Sequence, residues 1–238
     1  MIMAFGIGIL RIGLVSAISC LFLFCGGGSI QKAGEVTENI MATENEAYTD
    51  VILEAAARRE GDKLIVEYTV RNNTQHDIYL FDQMISYGGN KQIIDPNKAD
   101  SFFDEPKTLR LVRGILQLPG EKDVKVYVKP YVRSGPGRDE AKGRIELPVP
   151  VPEMSTFYGL PDPENSKTVD CEKIRLLIGW VEFRNGMKID EDDVSGQKVL
   201  RVSGSWDKPY QRLLEKTLTV KVSVVVRTDT FDRQMPLQ

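Results

Sequence analysis

From residue 50 onward apolar and polar side chains tend to alternate one for one, the period that sends successive residues to opposite faces of an extended strand. The clearest run lies near the C-terminus, where Leu218, Val220, Val222, Val224 and Val226 share one face and Thr219, Lys221, Ser223, Val225 and Arg227 the other. That pattern predicts a half-buried strand. "KLIVEYTV" repeats it with Leu64, Val66, Tyr68 and Val70 inward, and "DVKVYVK" with Val124, Val126 and Val128. Between the runs stand Glu60-Gly61-Asp62, Asn72-Asn73-Thr74, Pro119-Gly120-Glu121-Lys122 and Asn185-Gly186, residues that tolerate tight-turn dihedrals. The predicted strands are 50–58, 63–71, 77–86, 108–118, 123–133, 143–149, 173–184, 197–203 and 216–228. Many short strands with little helix predict an all-β fold, an antiparallel two-sheet β-sandwich.

One stretch breaks the alternation. "LPVPVPEMSTFYGLPDPENSKT" carries Pro148, Pro150, Pro152, Pro161 and Pro163, and proline cannot donate to a strand ladder. The segment is either a long crossover between sheets or a binding loop presenting Phe157 and Tyr158.

The N-terminus has a different pattern. Residues 1–24 are apolar or small except for Arg11, and "CGGGS" follows. One positive charge, a short apolar core and then small residues is the layout of an export signal. An amphipathic core helix would need a polar face that this segment lacks. The segment resembles bacterial prolipoprotein signals, in which a cysteine after the apolar core is acylated and becomes the new N-terminus. Cys25 has the flexible exit of Gly26, Gly27 and Gly28 but follows Phe24, where the family's pattern has a small residue. Cys20 follows Ser19 but precedes "LFLF". Lipidation at Cys25 or Cys20, cleavage among the glycines, and an uncleaved anchor all stay open; roughly 20 apolar residues span a bilayer.

This gives a signal peptide or membrane anchor helix over 1–28, a polar tether over 29–48, a β-sandwich domain over 49–231 and a tail over 232–238. The expected location is exported and membrane-associated, in the periplasm or at the cell surface. A flexible tether of this length reaches on the order of 25 Å.

Composition narrows the partners. With 42% hydrophobic and 27% charged residues the chain can bury a real core. Its net charge is −3, and Arg11 is the only basic residue before Lys32, so the domain itself is mildly acidic. Without a basic run it has no electrostatic footprint for nucleic acid. The membrane, through the N-terminal segment, and a protein or glycan are the partners that remain.

Candidate chemistry is sparse. His76 is the only histidine and sits in the polar turn "NNTQHD", next to an Asp77 that strand geometry points to the opposite face. This excludes the usual histidine-rich metal site and argues against a histidine-based triad, so no catalytic residue and no cofactor is assigned. "IDEDDVSG" gathers Asp190, Glu191, Asp192 and Asp193, read as a solvated hairpin tip; Asp190, Asp192 and Asp193 are the calcium candidates, though the spacing does not match a helical calcium loop. Asp82, Asp104, Glu105 and Glu182 could supply paired acids for sugar hydrolysis, a chemistry defined by carboxyl separation. Cys171 is the only cysteine beyond the leader and is expected to be buried.

A binding patch is nominated from Tyr127, Lys129, Tyr131 and Tyr158, because tyrosines between cations can stack on sugars or anchor a protein. Tyr79 and Phe81 either extend it or are covered by a second layer. Finally, "VEYTVRNNTQHDIYLFDQ" resembles the strand, polar turn and strand that open immunoglobulin-like bacterial envelope modules. The resemblance implies an immunoglobulin-like fold and no particular activity. The expected function is an envelope-associated, non-enzymatic binding module. The alternatives are a carboxylate-dependent hydrolase, which requires two acids in one cleft, and a structural subunit of an envelope assembly, which requires a large exposed apolar patch.

Overall fold

A computed structural model of the chain describes residues 50–89, 91–117, 129–205 and 210–228. The leader, the tether, the C-terminal tail, Tyr127 and the valines 124, 126 and 128 lie outside the described residues. Within them there are fourteen strands, one short 3-10 turn at Pro163–Asn165 and no α-helix. The fold is all-β.

The chain opens with a hairpin. β1 (Val51–Glu60) and β2 (Lys63–Asn72) pair in register from Val51 opposite Asn72 to Glu60 opposite Lys63. Gly61 at φ +60° supplies the left-handed residue of the two-residue turn. β9 (Asp139–Pro148) adds to the far side of β2, giving a three-stranded antiparallel sheet of order β1-β2-β9.

The remaining strands are β3 (Ile78–Gln83), β4 (Ile85–Gly88), β5 (Lys91–Ile94), β6 (Asp100–Asp104), β7 (Thr108–Arg113), β8 (Tyr131–Gly135), β10 (Val151–Pro152), β11 (Ser166–Glu182), β12 (Met187–Val194), β13 (Gln197–Gly204) and β14 (Arg212–Arg227). Nine of these form one sheet whose main path runs β10-β14-β11-β3-β8-β13-β12. The long β11 offers one edge to β14 and divides the other between β7 and β3, and β6 flanks β7. β4 and β5 make a separate hairpin.

Two pairings correct the expectation of a purely antiparallel arrangement. β7 runs parallel to β11, and β10 runs parallel to β14. Neither pair is joined by a hairpin; long connections link them, and only a tight hairpin forces neighbours to be antiparallel.

The main core is built by residues of both sheets. Leu64, Val66, Tyr68, Val70 and Ile145 come from the three-stranded sheet; Leu80, Leu111, Ile174, Leu176, Ile178, Trp180, Val222, Val224 and Val226 come from the larger one. The alternation in β2 and at the end of β14 therefore falls as the sequence pattern requires. The opposite face of the large sheet carries two smaller clusters, one around Phe81, Val132, Val181 and Val202 and one around Phe102, Val112, Leu116 and Leu177. β3 and β11 are covered on both sides, which is why "LLIGWV" is a continuous apolar run and not an alternating one.

Other boundaries move as well. The expected strand 77–86 divides at Met84 into β3 and β4, and 108–118 ends at Arg113. β11 begins at Ser166, seven residues before the expected start, so the proline segment is a crossover from the three-stranded sheet to the large one. β5, β6 and β12 were not expected. β12 occupies the acidic run: Asp190 to Asp193 belong to a strand, and the hairpin tip is Ser195-Gly196. Both tip residues have positive φ, +54° and +85°, the requirement of the tight turn that matches strand twist.

Candidate functional site

Two hairpin ends meet beside β8. The Ser195 hydroxyl, at the tip of β12–β13, donates to the Gln92 carbonyl of β5 at 2.6 Å. Between them lies a groove of about 390 Å³ lined by Lys91, Gln92, Tyr131, Asp192, Asp193, Val194 and Ser195. Val194 is buried at its base, Tyr131 is half-buried, and Lys91 and Asp193 are exposed. Asp192 is held by the Arg201 guanidinium at 3.0 Å and hydrogen-bonds Tyr131. Burial, then the Asp192 charge, pushes the Tyr131 phenol up. Asp193 accepts from the Gly196 amide at 2.7 Å, an internal brace for the turn. On the β4–β5 side the Gln92 amide donates to the Tyr87 hydroxyl at 3.2 Å, and Tyr87 is 63% exposed. The groove thus offers acceptor oxygens, an ammonium and the Tyr131 ring on a clamped frame, with the Tyr87 ring next to it.

Of the nominated patch, Tyr131 alone lines this groove. Lys129 turns away to lie 5.6 Å from the Tyr210 ring centroid, and burial lowers its pKa. Tyr158 packs with Phe157 against the cluster of Phe102, Val112, Leu116 and Leu177. Tyr127 lies outside the described residues. Phe81 is buried and Tyr79 packs over the same cluster, so neither extends a patch.

Three of the four candidate acids are each engaged by an arginine. Asp82 pairs with Arg133, Asp104 with Arg110 at 3.5 Å and Glu182 with Arg212 at 3.3 Å, each on a different strand, while Glu105 is exposed. Asp190 accepts from the Ser203 hydroxyl at 2.5 Å. Among the described residues no group of three or more His, Cys, Asp or Glu side chains is placed to hold a metal ion, the calcium candidates included. His76 is exposed in its turn.

The buried titratable groups act as struts. Tyr68 of β2 donates to Asp82 of β3 at 2.9 Å and accepts from Arg113 of β7 at 2.9 Å. Arg113 also donates to the carbonyls of Lys98, Pro96 and Arg144. Burial, reinforced by the Asp82 charge, raises the Tyr68 pKa, while Arg113 opposes the shift. Glu153, fully buried, accepts from the amides of Phe103 and Arg227 and so joins β6 to β14. Cys171 is fully buried and unpaired, its thiol pushed up to about 11 by burial.

Two roomier recesses exist, and neither has the groove's composition. One, of about 620 Å³, lies along the three-stranded sheet, with Ala56 and Gly143 among its lining residues. Its charged lining is consumed in ion pairs of Glu67 with Arg58 and Arg144, and of Glu54 with Arg71. Such exposed pairs contribute little energy and mark a solvated face. The other, of about 610 Å³, surrounds the β11 bulge near Cys171, with Lys107 already paired to Glu172 at 3.1 Å.

No protein family, no curated protein and no solved structure matches the chain. The groove residues Lys91, Gln92 and Ser195, and Tyr87 beside them, escaped the sequence reading. Gly88-Gly89 between "MISY" and "KQII", and Ser195-Gly196 between two alternating runs, were the turn signals that could have located both hairpins.

Proposed function

We propose that the chain is an exported, envelope-associated binding module that presents the Tyr131 groove to a protein or glycan partner. The groove carries this reading: a polar, aromatic-sided recess assembled by two clamped hairpin ends, away from the main core. The leader supplies export, as a lipidated, cleaved or retained segment with Cys25 and Cys20 as its candidate lipid acceptors, and the 29–48 tether supplies reach. The domain itself is an immunoglobulin-like sandwich. Strand order supports this, since β1, β2 and β9 take the places of strands A, B and E, and β14, β11, β3 and β8 those of G, F, C and C′. The inter-sheet disulfide of antibody domains has no counterpart, because Cys171 is a free thiol among apolar neighbours.

Cell fractionation with intact-mass measurement tests the location. The expected product is exported: membrane-associated where Cys20 or Cys25 is acylated or the leader is retained as an anchor, and free of the membrane where the leader is cleaved without acylation. Full-length protein in the cytosol overturns the reading. A photo-crosslinking residue placed at Gln92 on intact cells tests the binding role, with a discrete adduct expected and no adduct counting against it.

A further inference from the structure

We infer that the groove between the β4–β5 and β12–β13 hairpins takes a neutral oligosaccharide, with Tyr131 and Tyr87 as its stacking platforms; this rests on the binding-module reading. Three observations converge on that chemistry. The lining is polar apart from the Tyr131 ring, with one aliphatic side chain, Val194, and that one buried. A peptide or a helix seeks apolar anchors in dry pockets, and this recess offers none. Sugar hydroxyls instead donate to carboxylates and both donate to and accept from amides, which the exposed Asp193 and the Gln92 amide allow.

The second observation is aromatic. Tyr131 lies in the groove, and Tyr87 stands beside it, joined through its hydroxyl to Gln92, with 63% of its surface open. An exposed tyrosine ring costs little entropy to order and offers an apolar face with a polar tip. The third is charge. With Arg201 paired to Asp192, two carboxylates at the recess stand against two cations, so nothing there draws a polyanionic glycan in preference to an uncharged one. The Ser195–Gln92 clamp fixes the separation of the two hairpins before any ligand arrives, which lowers the ordering cost of binding.

Isothermal titration of the full chain in detergent micelles with chitohexaose, cellohexaose and maltohexaose, and with a polygalacturonate oligomer of similar length, tests the inference. At least one neutral hexasaccharide is expected to bind, and more tightly than the polygalacturonate. Tyr87→Ala, at an exposed position, should weaken that binding about tenfold, as should Tyr131→Ala. Leu160→Ala, at a side chain 69% exposed outside the groove lining, should leave it unchanged. Circular dichroism melting separates a lost contact from a lost fold, and Tyr87→Ala keeps the test decisive if Tyr131→Ala unfolds. Binding of none of the neutral sugars, preferential binding of the polyanion, or binding indifferent to both tyrosines overturns the inference. A protein adduct from position 92 together with no sugar binding would sink the glycan assignment and leave the binding-module reading standing.

Discussion

Asp100 is fully buried and accepts hydrogen bonds from the amide and hydroxyl of Thr156. Burial raises its carboxyl from 3.8 to about 7, with Lys98 and the Thr156 bonds pulling the other way. Between those values the folded chain holds a proton that the unfolded chain has released, so this group makes stability fall as pH rises through the window. Urea midpoints should therefore drop from pH 5 to pH 8, by a contribution on the order of 2–4 kcal/mol. Asp100→Asn should remove most of that slope. Gly143 has a steric reason: a Cβ there would lie 2.1 Å from the Tyr68 ring, and that ring is pinned through its hydroxyl by Asp82 and Arg113. Gly143→Ala should cost about 2–3 kcal/mol in chemical denaturation, and the same change made in a Tyr68→Leu background should cost less. Cys171, buried and with its thiol held up at about 11, should resist iodoacetamide until the protein unfolds; rapid labelling of the native chain would contradict its placement.

At the scale of elements, local pattern succeeded where one face alone was buried. β1, the end of β14 and, apart from the buried Ile65, β2 follow period two because one side meets the core and the other is more open to water. It failed where charge hid the period. β12 reads as an acidic run, yet its carboxylates are spread along an edge strand and engaged by Lys198, Arg201 and Ser203 of β13. Charges on an edge strand also discourage pairing with another chain. The hairpin depends on its two-residue tip, so Gly196→Val, at φ +85°, should destabilise it by about 1–2 kcal/mol and raise amide exchange in β12 before the rest of the sheet.

For the whole domain, Arg113 does the most tying. From β7 it reaches Tyr68 and the Arg144 carbonyl of the three-stranded sheet, and the Pro96 and Lys98 carbonyls of the β5–β6 connection. Arg113→Met would leave the buried Tyr68 hydroxyl and three partly buried carbonyls without their donor and should cost about 3–5 kcal/mol, read as a shift in the midpoint of denaturation. The sequence by itself determined the all-β character, several of the inward-facing residues and the solvated turn around His76, because alternation and turn chemistry are properties of neighbours along the chain. Only tertiary structure decided that β7 would lie parallel to β11, that Asp82 and Glu182 would each be taken by a different arginine, and that Tyr131 would share a groove with Gln92 and Ser195. Those outcomes join residues dozens of positions apart, and which strand edges meet is settled by the fit of whole sheets, about which a local period carries no information.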